Sequence, residues 1–176
     1  HFDGFDAMRE AVARFDRDRE GFVVRFASGL RLKVKGAEYL RVHRLVSRVT
    51  PLALWEAMAH GDDLDVIRRD IPEEFWSDFD GIRATLAAQA ARIVAATSTA
   101  VEATRGEFDK DVGLRLDSFG PDVRPFIFTA RRGGDGWERT EKARAGIFRL
   151  IRPTANVLTG YVPSERIAVA HAEMDG

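Results

Sequence analysis

The sequence predicts an α+β fold that is mainly α, with one β-hairpin near the start and helices after it. Three observations predict this. Leu30-Arg31-Leu32-Lys33-Val34-Lys35 alternates strictly between apolar and basic residues, and the β-rich run Gly21 to Phe26 precedes it across the short turn Ala27-Ser28-Gly29. From Ala37 onward the apolar residues recur at helical spacing instead. The 176 residues are 45% hydrophobic and 31% charged, an ordinary globular balance that excludes a disordered tail, a collagen-like fibre and a disulfide scaffold.

Each element has its own reason. Phe5, Met8, Val12 and Phe15 lie at helical spacing, and the charged run Asp16-Arg17-Asp18-Arg19 follows. In the hairpin, Leu30, Leu32 and Val34 share one face while Arg31, Lys33 and Lys35 share the other, because side chains alternate along a strand. A helix is expected over 37–48. Thr50 caps the next, with Pro51 at its first position. A short helix is expected after Asp62, and another opens at Pro72-Glu73-Glu74. A long alanine-rich helix is expected over 80–104, and shorter ones over 109–116 and 121–131. Gly133-Gly134 breaks the chain. A last helix is expected over 137–151, stopped by Arg152-Pro153. Residues 154–176 read as a tail with little regular structure.

Several chemistries are excluded. Without cysteine there is no disulfide, thiol nucleophile or zinc–thiolate site. His1, His43, His60 and His171 are too scattered for a histidine metal site. Asp62, Asp63 and Asp65 lack the following glutamate of a calcium loop. Trp55, Trp76 and Trp137 sit at helical apolar positions and read as core. The most apolar stretch, Leu86 to Val101, carries Gln89 and Arg92 and reads as a buried helix of a soluble protein, not a membrane span. No signal peptide is visible, and a cytoplasmic location is expected. The first residue is His1, which suggests the C-terminal part of something longer.

Net charge is −1, so any nucleic-acid role must come from local patches. Charge is segregated. Arg25 to Arg48 carries net +6, Glu56 to Asp80 carries net −7, and Arg124 to Arg152 carries net +5. In the last zone Arg139, Lys142, Arg149 and Arg152 can share part of one helix side, as candidate RNA contacts or as a solvated face. Of 27 basic residues only Lys33, Lys35, Lys110 and Lys142 are lysine. Two of these four stand two apart on the hairpin, where a compact ammonium replaces the planar guanidinium used elsewhere.

Glu20-Gly21-Phe22-Val23-Val24 opens the first strand and Lys33-Val34-Lys35 closes the second, so a hairpin sets these ends side by side. A carboxylate, a glycine that permits close backbone approach and two same-face lysines suit a phosphate with a divalent cation. A half-exposed hairpin with a cross-strand Glu–Lys pair accounts for the same residues.

These segments, continued into Glu38-Tyr39-Leu40-Arg41-Val42-His43, resemble motifs IV and V of covalent nucleotidyltransferases. The continuation resembles the ATP-dependent RNA ligases of the phage and fungal tRNA-repair type, over about 25 residues. The segment from Ile147 to Asn156 is similar, less specifically, to C-terminal regions of relatives of these ligases. The resemblance implies that residues 1–48 end a nucleotidyltransferase domain, with a helical C-terminal domain over 49–153 and a tail over 154–176. It implies ligation of RNA 5′-phosphate and 3′-hydroxyl ends, with ATP and Mg2+, through lysyl-AMP and RNA-adenylate intermediates. Glu20 would act through the metal and its waters. Lys33 and Lys35 would contact the α-phosphate, Gly21 would let the strand pass close to the nucleotide, and Tyr39 would border its pocket or simply pack. The family's Lys-x-Asp-Gly nucleophile motif is absent, so the chain is expected to be an inactive fragment of such an enzyme. The alternatives are a non-catalytic helical RNA-binding appendage, or another covalent nucleotidyltransferase of the DNA ligase or capping type.

Overall fold

The computed structural model describes residues 5–15, 19, 21–26 and 28–175. It is mainly helical, with a single two-stranded antiparallel sheet among the described residues. The chain forms two compact units that interleave along the sequence. One comprises residues 1–49, 65–78 and 163–176; the other comprises 50–64 and 79–162. The split suggested near residue 49 is therefore crossed again by later segments.

The first unit starts with α1 (Phe5–Ala13), whose Met8 and Val12 are buried. Strands β1 (Gly21–Arg25) and β2 (Arg31–Lys35) follow. The Phe26 N–H donates to the Leu30 carbonyl and the Gly29 N–H to the Phe26 carbonyl, both at 2.9 Å, which closes the turn. The Phe15 and Phe22 rings meet at 4.9 Å, joining the residues after α1 to the apolar side of the hairpin. Helix α2 (Ala37–Val46) leaves β2 through Gly36 alone. Val46, Val49, Ile71, Phe75 and Ile167 complete this unit's core.

Residues 154–176 are not an irregular tail throughout, because α9 (Glu165–Asp175) is a regular helix. Ser164 caps it, its Oγ accepting from the Ile167 N–H at 3.2 Å. The buried Asp78 carboxylate accepts from the Ser164 N–H at 2.9 Å and from its Oγ–H at 2.7 Å. Ser-Glu after a proline was the available start signal, and the sparse apolar spacing hid it. Asp78→Ala leaves the Ser164 donors without their acceptor and is expected to cost about 1–3 kcal/mol in urea unfolding. Ser164→Ala should cost about 1 kcal/mol as a lost cap. Equal stability of Asp78→Ala and the parent would show that the clamp contributes nothing.

The second unit contains α3 (Pro51–His60), capped by the Thr50 hydroxyl, which accepts from the Ala53 N–H at 3.2 Å. Helix α4 (Leu64–Asp70) lies across the unit boundary in sequence. So does α5 (Trp76–Ala103), of 28 residues and about 42 Å. Phe79, Ile82, Leu86, Ile93 and Thr97 form one buried stripe along α5, whereas Ala87, Ala88, Ala91 and Arg92 are exposed. The stretch read as a buried helix is thus buried on one side only. Helix α6 (Asp109–Leu114) carries Val112 into a cluster with Val123 and Ile127. The helix expected over 121–131 begins only at Ile127 and forms α7 (Ile127–Gly133), because Pro125 disfavours helical backbone at Arg124. The helix expected over 137–151 is divided. A 3-10 turn covers Trp137–Arg139, Thr140 is extended, and its hydroxyl caps α8 (Glu141–Leu150). No helix among the described residues is long and apolar enough to cross a membrane.

Candidate functional site

The register pairs Gly21 with Lys35, Val23 with Lys33 and Arg25 with Arg31. Those six residues share one face; Phe22, Val24, Leu32 and Val34 share the other. The structure therefore brings Lys33 and Lys35 together on an exposed face, with Gly21 directly across from Lys35. Lys33 is exposed and Lys35 half-buried. Because a single glycine joins β2 to α2, Tyr39 comes up beside Lys35, whose ammonium lies 5.6 Å from the ring centroid. The Tyr39 ring in turn tilts against that of His43 at 5.4 Å. Tyr39 is a half-buried residue that both packs and touches the lysine.

Gly21 has φ +152, and a Cβ there would lie on the backbone carbonyl of Val34, 2.8 Å from its carbon. Its lack of a side chain serves the pairing of the two strands whatever else approaches. Glu20, the expected metal contact, lies outside the described residues. Arg25, Arg31, Arg44 and Arg48 have no carboxylate partner among the described residues. The zone's one acid, Glu38, accepts from the Arg41 Nε–H on both oxygens and from its Nη2–H at 2.6 Å. That bond, more than the guanidinium's charge, holds the Glu38 carboxyl below its ordinary range against desolvation. Among the described strand residues this face carries Arg25, Arg31, Lys33 and Lys35. Among the described residues no group of three or more acids or histidines converges on a metal position. A place for Mg2+ would depend on Glu20.

The late basic zone divides by partner. Arg124 binds Asp117, Arg131 and Arg132 bind Asp109, Arg139 approaches Glu138 at 3.6 Å, and Arg144 donates to the His60 carbonyl. Lys142 and Arg149, seven residues apart on one side of α8, are exposed with no carboxylate partner among the described residues, as is Arg152. The Arg152 guanidinium lies over the Trp55 ring, 5.2 Å from its centroid. Trp55 is half-buried, its indole N–H donating to the Phe148 carbonyl at 2.7 Å. Of the three tryptophans only Trp137 is fully buried core. Sequence reasoning missed Trp55 as a support for Arg152.

Compared with protein families, curated proteins and solved structures, the chain matches none.

Proposed function

We propose that these residues carry the phosphate-contacting hairpin of an ATP-dependent RNA ligase. The observation that supports it is the register, which sets Lys33 and Lys35 on one face of the hairpin with Gly21 directly across from Lys35. In such an enzyme a lysine amine attacks the α-phosphorus of ATP and the bond to pyrophosphate breaks. Negative charge grows on the non-bridging oxygens, where two fixed ammonium groups stabilise it most. The AMP then passes to an RNA 5′-phosphate, and a 3′-hydroxyl displaces it. The nucleophile must come from outside these residues, which hold no Lys-x-Asp-Gly.

The test has two arms. The gene product carrying this sequence should circularise a 5′-phosphorylated RNA in an ATP-dependent manner. The 176-residue chain alone, incubated with labelled ATP and magnesium, should retain no label on a denaturing gel. Absence of sealed RNA in the first arm, or a labelled protein band in the second, overturns the reading.

A second reading, a helical unit that grips RNA phosphates without chemistry, has its own support. Lys142, Arg149 and Arg152 are exposed cations that no described carboxylate neutralises.

A further inference from the structure

We propose that a cleft in the second unit, between α5 and the segment after α8, binds a nucleotide of single-stranded RNA. Its phosphate meets Arg92 and Arg152, and its base lies on Val157. The inference rests on the RNA-gripping reading and gives it a site that joins Arg152, a candidate RNA contact in the sequence, to Arg92.

Two cavities of the second unit have opposite electrostatics. A cavity of about 550 Å³ beside the Gly133-Gly134 loop is lined by Arg105, Arg131 and Arg132, but also by Glu102, Asp109, Asp135 and Glu138. Arg105 pairs with Glu102 at 2.5 Å, and Asp109 holds both other arginines, so its cations are already neutralised. The second cavity, of about 680 Å³, is lined by Arg92 and Arg152 and by no carboxylate. Thr154 and Thr159 add hydroxyls that serve phosphate oxygens or a ribose 2′-hydroxyl. A positive cleft without acids selects an anion.

Both arginines are available. Arg152 is held over Trp55 and has no carboxylate partner, so its planar fork is oriented before a ligand arrives. Arg92 is three-quarters exposed, and its described carboxylate partner is Asp122, at the long distance of 3.8 Å. The rim favours a nucleotide over a bare anion. Val157 is 72% exposed beside the two cations, an apolar surface for a base. It is held there by a tight turn in which the Val157 N–H donates to the Thr154 carbonyl at 3.1 Å. Ala155 in that turn has φ +54, the one non-glycine residue with positive φ among the described residues. Such backbone is disfavoured for alanine, and the Thr154–Val157 pairing closes the turn around it.

The test titrates labelled oligouridine with the 176-residue chain by fluorescence anisotropy at several salt concentrations. Arg92→Ala and Arg152→Ala should each weaken binding about tenfold. Each should also flatten the log–log salt slope by about 0.7, the counterions released per phosphate contact on a single strand. Arg152→Lys should keep the slope and lose affinity, since it retains charge without the stacked fork. Val157→Ser should lose affinity at unchanged slope. Arg105→Ala, from the neutralised cavity, should bind as the parent does. Melting by circular dichroism checks that each variant is folded. Binding that is strong but indifferent to Arg92 and Arg152 overturns the cleft while leaving the RNA-gripping reading in place. No binding of oligouridine overturns both, and binding of heparin alone marks the cleft as a general polyanion surface and overturns the proposal.

Discussion

In the gene product that carries this hairpin, Lys33→Ala and Lys35→Ala should each slow adenylyl transfer by about 10²–10³, or roughly 3–4 kcal/mol. Both side chains leave the same strand face two residues apart, so one phosphate can meet both. Charge on that phosphate is greatest in the transition state, so the loss should fall on the rate more than on ATP affinity. Lys→Arg should rescue poorly, because the fork is wider and spreads its charge. At position 35 it would also alter the contact with Tyr39. Arg31 shares the face but pairs with Arg25 toward the turn, further from Gly21, so Arg31→Ala should be mild. Glu20→Ala should lose activity in a way that a change of divalent ion partly restores. Rapid-quench adenylylation measures all four. Parental rates for both lysine variants alongside a slow Arg31→Ala would mean that the hairpin is only a charged surface.

The largest expected effect on stability belongs to Arg131. Its side chain is 12% exposed. The guanidinium donates to the Thr104 carbonyl and hydroxyl, both at 2.7 Å, to the Glu107 carbonyl at 2.6 Å and to Asp109 at 2.8 Å. It thereby ties α7 to the turn between α5 and α6. Arg131→Ala strands those acceptors and should cost about 3–5 kcal/mol, a large part of what holds a small domain folded. Arg131→Lys should recover little, because one ammonium cannot reach four acceptors. The hydrogen bond from Arg131 is also the main reason the Asp109 carboxyl sits below its ordinary 3.8, with the charges of Arg131 and Arg132 adding to it against desolvation. A depressed folded value means that this contribution is complete above 3.8 and is lost as pH falls through the lower folded value. Chemical denaturation across that acid range should show a steeper loss in the parent than in Asp109→Asn. Superimposable acid limbs would show that the pair contributes nothing to folding.

What was legible in the sequence follows from which forces are local. Strict alternation fixed the faces of β2, and the register sets Gly21 across from Lys35, so the ends of the two strands lie side by side as expected. Thr50 and Pro51 marked the start of α3 because a cap is read within four residues. Thr140 is the same device, yet the apolar spacing on either side ran the expected helix through it. Pro125 delayed α7 for an equally local reason. The charge zones were legible as sums but not as sites. Four of the eight basic residues between Arg124 and Arg152 are engaged by partners that only the tertiary structure supplies, Asp109 and Asp117 among them. Arg92 was legible only as a charge that argues against a membrane span, because its place on the exposed side of α5 is set by which stripe of that helix packs.

The interleaving of the two units sets an order of assembly during synthesis. Every residue of the second unit has been made once the chain reaches Val162, whereas the hairpin's unit still lacks residues 163–176. At about 5–20 residues per second, the stretch from Thr50 to Val162 keeps the lysine-bearing strands waiting for roughly 6–20 s before α9 can close over its core. During that interval the hairpin's unit lacks Ile167, a buried member of its core. A nascent chain stalled just after Val162 should therefore protect the second unit from protease while leaving the hairpin open to cleavage.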